Sequence, residues 1–152
     1  MTEIMTVLEK RFGKFTITRG KVHDYLGMHI VLRDDNKVEI DMIESITKII
    51  EEFSEEIKGS VTSPANQSLY EPGENENLLS NEKHDEFHSV TQKLLYIMKR
   101  SRPDIEPSVA YFCTRVTKST VSDWWKLKRT LKFLLCTITD KRIIGMTTDG
   151  IM

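Results

Sequence analysis

Two aspartates stand side by side at Asp34-Asp35. Paired carboxylates are what a two-metal phosphoryl-transfer site needs. Leu32-Arg33 precedes the pair, and an arginine there opposes the charge logic of a cation site. No other carboxylate is placed by the sequence to complete such a site. Asp34-Asp35-Asn36 therefore reads as turn chemistry, because Asp and Asn side chains bond nearby backbone and tolerate turn dihedrals. His84 and His88 lie four apart and share a helical face, a spacing that suits a metal. No Glu follows His84 directly and no third ligand is evident, so two solvent-exposed histidines is the favoured reading. Cys113 falls on an apolar face with no local base, which makes it a small core residue rather than a nucleophile. No catalytic residue, metal site or cofactor is assigned to this chain.

The other chemistry-bearing pattern is cationic. Lys99-Arg100-Ser101-Arg102 gathers three cations at a helix end, where their structural role is to complement the helix dipole. On residues 121–137 a step of about 100° per residue brings Trp125, Lys128, Arg129 and Lys132 to one side. Such a stripe can lie along a phosphate backbone, or it can be a solvated face with Trp125 packed under lysine stems. Lys126-x-Lys128-Arg129 also resembles a weak nuclear-import patch.

These residues need elements to hold them. Ile4, Leu8 and Phe12 mark a helix over 3–12, with Thr2 as N-cap and Gly13 as stop. Residues 14–18, KFTIT, alternate as a short strand. Residues 22–42 read as a β-hairpin, with Arg33-Asp34-Asp35-Asn36 as the turn and Val38, Ile40 and Met42 alternating on the return. Gly27 lies inside the first strand, where glycine marks either a bulge or a close approach by another backbone. Residues 43–57 form an amphipathic helix on Ile43, Ile46, Ile49/Ile50, Phe53 and Ile57, with its glutamates on a solvated surface. Residues 59–79 make one long acidic loop or linker. A helix over 80–101 buries Phe87, Val90/Thr91, Leu94 and Ile97/Met98. Asp104 is the natural N-cap of the next helix, with Pro107 in its first turn and Ile105, Val109, Phe112/Cys113 and Val116 on one face. Thr120 and Asp123 form a capping-box-like start to the last helix, which buries Trp124, Leu127, Leu131 and Leu134/Leu135. Ile143-Ile144-Gly145 opens a further strand.

Composition is globular, with 39% hydrophobic and 30% charged residues, which excludes a disordered chain. No apolar run reaches the roughly 18 residues of a membrane span. The start lacks a secretory signal, and two cysteines give no disulfide framework, so an intracellular, reducing setting is expected. Net charge is −1, but residues 1–90 carry 10 Lys/Arg against 18 Asp/Glu, and residues 91–152 carry 12 against five. A basic half either faces a polyanion or neutralises the acidic half across an internal interface.

A series of blocks then follows in order: Phe87-His88-Ser89, Lys93-Leu94-Leu95-Tyr96, Lys99-Arg100-x-Arg102-Pro103-Asp104-Ile105, Cys113-Thr114-Arg115-Val116, Asp123-Trp124 and Leu127-Lys128-Arg129-x-Leu131. It resembles the segment after the polymerase palm in copia-type LTR-retrotransposon reverse transcriptases, and the likeness covers nearly the whole chain. The resemblance implies that residues 1–58 hold the end of the palm, a primer-grip hairpin and a first thumb helix. It makes 59–79 the acidic linker, with Thr62-Ser63-Pro64 like the family's Thr-Pro stretch. It gives thumb and connection helices over 80–139, and the start of a strand toward an RNase H domain over 140–152. Tyr25-Leu26-Gly27-Met28 resembles the grip hairpin, which implies that a primer backbone comes close to Gly27. The resemblance also places an aromatic-x-Asp-Asp motif upstream of Met1 and the first RNase H aspartate beyond Met152. The chain alone is thus expected to be no enzyme, although the intact family enzyme uses divalent metal at residues not present here.

The expected fold class is α+β: an N-terminal helix and a small antiparallel β-hairpin, followed by a helical bundle of three to four helices. The expected role is to position a template–primer duplex, with the palm and RNase H domains as further partners and no membrane. Tyr25, Gly27 and Met28 are the expected contacts near the primer end. Lys99, Arg100, Arg102, Lys128, Arg129 and Lys132 are expected at phosphates, with Trp125 beside them. The alternatives are a non-enzymatic nucleic-acid-binding or interaction module, and a remnant without function.

Overall fold

Helix α1 starts at Thr2 and runs to Phe12, and the chain leaves it at Gly13, whose φ of +84° is the left-handed stop that glycine allows most cheaply. A computed structural model describes residues 2–14, 18–71, 73 and 76–145. Most of the expected KFTIT strand lies outside those residues. Ile4, Val7, Leu8 and Phe12, which form the apolar side of α1, are all exposed, Phe12 at 73%.

The expected hairpin is a four-stranded antiparallel sheet of β1 (Val22–Tyr25), β2 (Met28–Leu32), β3 (Lys37–Asp41) and β4 (Arg142–Gly145), in that spatial order. Two features differ from the sequence expectation. The long first strand is broken at Leu26-Gly27, because Tyr25 pairs with Met28 and both turn residues have positive φ, +50° and +74°. That is a two-residue type I′ turn, so Gly27 is a turn residue and not a bulge. The last strand pairs along β3, with Val38 opposite Ile144 and Ile40 opposite Arg142. The turn between β2 and β3 follows its chemistry: Asn36 takes φ +59°, and Arg33 N–H donates to the Lys37 carbonyl. Asp34 pairs with Lys21, and Asp35 pairs with Lys37 and Arg33, the Lys37 hydrogen bond holding its carboxyl below the usual range.

The bundle follows. Helix α2 covers Ile43–Glu52, five residues shorter at its C-terminal end than the apolar period suggests. Phe53 turns extended (φ −69°, ψ 134°) and stacks on Trp124 with ring centroids 4.9 Å apart. Burial of that ring outweighs one more helical turn, and the next backbone donor, Ser54 N–H, is satisfied by Glu86 at 2.7 Å. Helix α3 (Asn81–Arg100) is capped by Ser80 and buries the expected stripe. A short 3₁₀ turn (Pro103–Ile105) leads into α4 (Glu106–Arg115). Asp104 does not cap α4, whose cap position is Ile105, because its carboxylate turns back to Arg102. Helix α5 (Val121–Cys136) starts on a full capping box between Thr120 and Asp123.

Phe87, Leu94, Ile105, Val109, Phe112, Leu127 and Leu131 are fully buried and centre the core. Each large apolar side chain there stabilises the fold by about 1.5–3 kcal/mol relative to exposure. Cys113 packs against this core and Leu135 is exposed. The segment expected as a linker wraps α5 instead. Leu69 is buried, Pro64 carbonyl accepts from Thr130 Oγ1 at 3.1 Å, and Leu79 N–H donates to the Ser119 carbonyl. The chain is therefore α+β, with mixed strand and helix. Among the described residues no helix is long and apolar enough to cross a membrane.

Candidate nucleic-acid interface

Tyr96 joins the sheet to the bundle. It sits on α3 one turn before Arg100, and its hydroxyl donates to the Leu26 carbonyl at 2.6 Å. The Arg100 guanidinium lies 3.6 Å above the same ring and also donates to the Tyr96 carbonyl at 3.4 Å. Arg142 arrives on β4 and donates to the carbonyls of Lys99 and Arg100 at 3.2 and 3.3 Å. Those carbonyls are acceptors that the end of a helix leaves open, and a cation there also complements the helix dipole. Arg142 thus joins the basic end of α3, and Arg100 reaches the Leu26-Gly27 turn through the Tyr96 ring. None of Lys99, Arg100 and Arg142 has a carboxylate ion-pair partner among the described residues. Tyr25 and Leu26 stand exposed at 61% and 58% on the turn itself.

Gly27 needs no outside ligand to explain it. Its φ of +74° favours glycine, and a Cβ there would meet Ser45 Oγ at 2.9 Å. Ser45 on α2 donates to the Gly27 carbonyl at 3.4 Å. The close approach is by α2. Met28 packs against the bundle core. Of the expected contacts, Tyr25, Gly27, Met28 and Arg100 come together around Tyr96, and Lys99 contributes its carbonyl to Arg142 at the end of α3.

Arg102 does not join them. It is 2% exposed, grips Asp104 through Nε at 3.0 Å and Nη2 at 2.7 Å, and donates to the Thr137 carbonyl at 2.9 Å. A buried guanidinium with its donors engaged is a clamp between the end of α3 and the end of α5, not a phosphate contact.

The α5 stripe is also spoken for. Lys128 Nζ is bonded to Glu55, and its side chain is 12% exposed. Lys83 reaches the same carboxylate at 2.5 Å, and Trp124 Nε1 donates to it at 3.0 Å. Lys128 and Lys83, then burial against them, leave the Glu55 carboxyl lowered to about 2. The expected solvated glutamate face is therefore wrong at Glu55, which holds the residues after α2 onto α3 and α5. Arg129 donates to Ser63 Oγ at 3.2 Å, and Lys126 to the Glu71 carbonyl at 2.9 Å. The import-like patch is thus engaged along its length. Trp125 stays 60% exposed with Lys128 4.8 Å over its ring, and Lys132 is half-buried without an ion-pair partner among the described residues.

His84 is half-buried with Nδ1 2.8 Å from Ser119 Oγ, so only His88 is solvent-exposed as expected. Asp123 sits 1% exposed between Tyr111, Arg115 and Thr120. Burial raises its carboxyl pKa, but the Tyr111, Thr120 and Arg115 hydrogen bonds outweigh burial and leave it lowered. Sequence reasoning missed Tyr96, Arg142 and Glu55. The i, i+4 spacing of Tyr96 and Arg100 was a usable signal; the arrival of Arg142 by strand pairing was not. No protein-family model matches this chain, and no solved structure matches it.

Proposed function

We propose that the chain is a positioning segment of a copia-type reverse transcriptase: it holds a template–primer duplex by its phosphates and performs no nucleotide transfer itself. The observation that carries this reading is the junction at Tyr96. One tyrosine fixes the Leu-Gly turn and carries Arg100 over its ring, and Arg142 binds the carbonyls at the basic end of the same helix. A turn with exposed Tyr25 and Leu26, acidic Asp24 and Glu44 on one side and the unpaired Arg100 guanidinium held near it by Tyr96 on the other, suits a backbone contact on the Arg100 side without sequence readout. The contact set under this reading is Tyr25, Leu26, Lys99, Arg100 and Arg142. The exposed apolar side of α1 supports a second element of it, a neighbouring palm-like unit that covers Ile4, Leu8 and Phe12. The setting under this reading is intracellular.

The test is duplex binding against salt. Lys99→Ala with Arg100→Ala should weaken binding of a labelled RNA–DNA hybrid about tenfold and flatten its log–log salt slope by about 2. Lys128→Ala, whose charge is engaged by Glu55, should leave both unchanged. Equal losses from the two variants would count against this site.

A further inference from the structure

A groove of about 640 Å³ runs between α2 and α3 and is lined by Ser45, Lys48, Ile49, Glu52, Lys93 and Tyr96, among others. Two of these, Ser45 and Tyr96, also hold the Leu26-Gly27 turn, so the groove opens directly beside the site described above. Lys48 comes from α2 and Lys93 from α3. One carboxylate serves both, for Glu52 lies 2.8 Å from Lys93 and 3.8 Å from Lys48. All three side chains are open to solvent, at 74% for Lys48, 47% for Glu52 and 42% for Lys93. Ion pairs this exposed contribute little to stability. Glu52 is ionised at neutral pH like any exposed glutamate, and the Lys93 hydrogen bond holds its carboxyl lower still.

The two lysines therefore bind an anion already, and it is supplied by the chain. We infer that this groove is a second phosphate-contact surface for a nucleic-acid strand, and that Glu52 is a built-in competitor which occupies Lys48 and Lys93 until a backbone phosphate displaces it. The inference rests on the positioning role proposed above and extends that surface from the turn across α2. A concave slot favours a single phosphodiester strand over a flat lipid surface. Glu52 thereby weakens and loosens binding, which suits a duplex that must slide.

The experiment compares three full-length chains: wild type, Glu52→Gln and Glu51→Gln. Glu51 is exposed on the same helix and has no ion-pair partner among the described residues, so its substitution removes the same formal charge without freeing a lysine. Binding of a labelled RNA–DNA hybrid is measured by anisotropy over a salt series. Glu52→Gln should bind about three- to tenfold tighter at low salt and steepen the log–log salt slope by about 1 to 2, and Glu51→Gln should do much less. Adding Lys48→Ala and Lys93→Ala to Glu52→Gln should erase the gain. Equal gains from the two glutamines, with the wild type binding, overturn the competitor role and leave the positioning role standing. No binding by any chain overturns both. Binding of Glu52→Gln to phosphatidylserine vesicles but not to the hybrid also overturns the inference.

Discussion

Two runs of cations at helical spacing meet different fates in this molecule. On α5, Lys126, Lys128 and Arg129 are each taken up by a carboxylate, carbonyl or hydroxyl of the chain between α2 and α3. At the end of α3, Lys99 and Arg100 keep their charge without a carboxylate, and Arg142 adds a third. The residue types are the same. What differs is the chain that passes alongside, an acidic stretch over α5 and a sheet turn beside α3. A basic stripe in a sequence thus reports charge that needs an answer, and only the fold says whether the answer comes from inside.

Arg102 gives the largest test of that contrast, because it belongs to the α3 run by sequence and to the engaged class by structure. Arg102→Ala removes a buried guanidinium, leaves Asp104 without its donor and takes one of two donors from the Thr137 carbonyl, which keeps Asp140 N–H. It should cost about 3 kcal/mol of unfolding free energy, read from the urea midpoint. Hybrid binding by the fraction that stays folded should match wild type. A fully stable Arg102→Ala chain with weakened binding would move Arg102 into the open class and break the division.

Glu55 tests the engaged side. Its folded pKa of about 2 lies below the ordinary 4.5, so its contribution is complete above roughly pH 4.5 and is lost as pH falls toward 2. At pH 6, Glu55→Gln should cost about 1–3 kcal/mol, because Lys128 loses its charged acceptor in a nearly buried position. The gap between wild type and variant should narrow by more than half as the urea midpoint is followed from pH 6 down to pH 3. A gap that stays constant over that range would mean that the Glu55 charge is not what holds the α5 cations.

The helices were the legible part of the fold. The stripe of Phe87, Val90, Leu94 and Ile97 and the Thr120/Asp123 capping box are local signals, and local geometry honours them. Most of the misreadings came from distant partners. Phe53 leaves the helical path for Trp124, 71 positions on, and β4 finds β3 across the whole bundle. Glu55 looked like one more surface glutamate because Lys83, Trp124 and Lys128 are separate in sequence. Within the candidate site, the Leu-Gly turn lacked the Asn or Asp that marks a type I′ hairpin, so it read as strand. For Arg102, the Arg-Pro-Asp sequence held a local clue, since a carboxylate two positions away is within reach of a folded-back guanidinium.

That missing turn signal gives the smallest and most discriminating test. Leu26 holds φ +50°, a conformation costly for a side chain of its size, and it does so at an exposed position where packing cannot repay it. Leu26→Asn makes the favoured Asn-Gly turn and should raise stability by about 0.5–1 kcal/mol, with the Tyr96 hydrogen bond to the residue 26 carbonyl retained. If Leu26 serves only the fold, nothing is lost by that exchange. If the turn presents Tyr25 and Leu26 to a duplex, the same variant should bind the hybrid more weakly while melting higher, with its salt slope unchanged because no phosphate contact is touched. That combination would separate the apolar contact of the turn from the cations beside it. A gain in stability with full binding would instead restrict the open site to Lys99, Arg100 and Arg142.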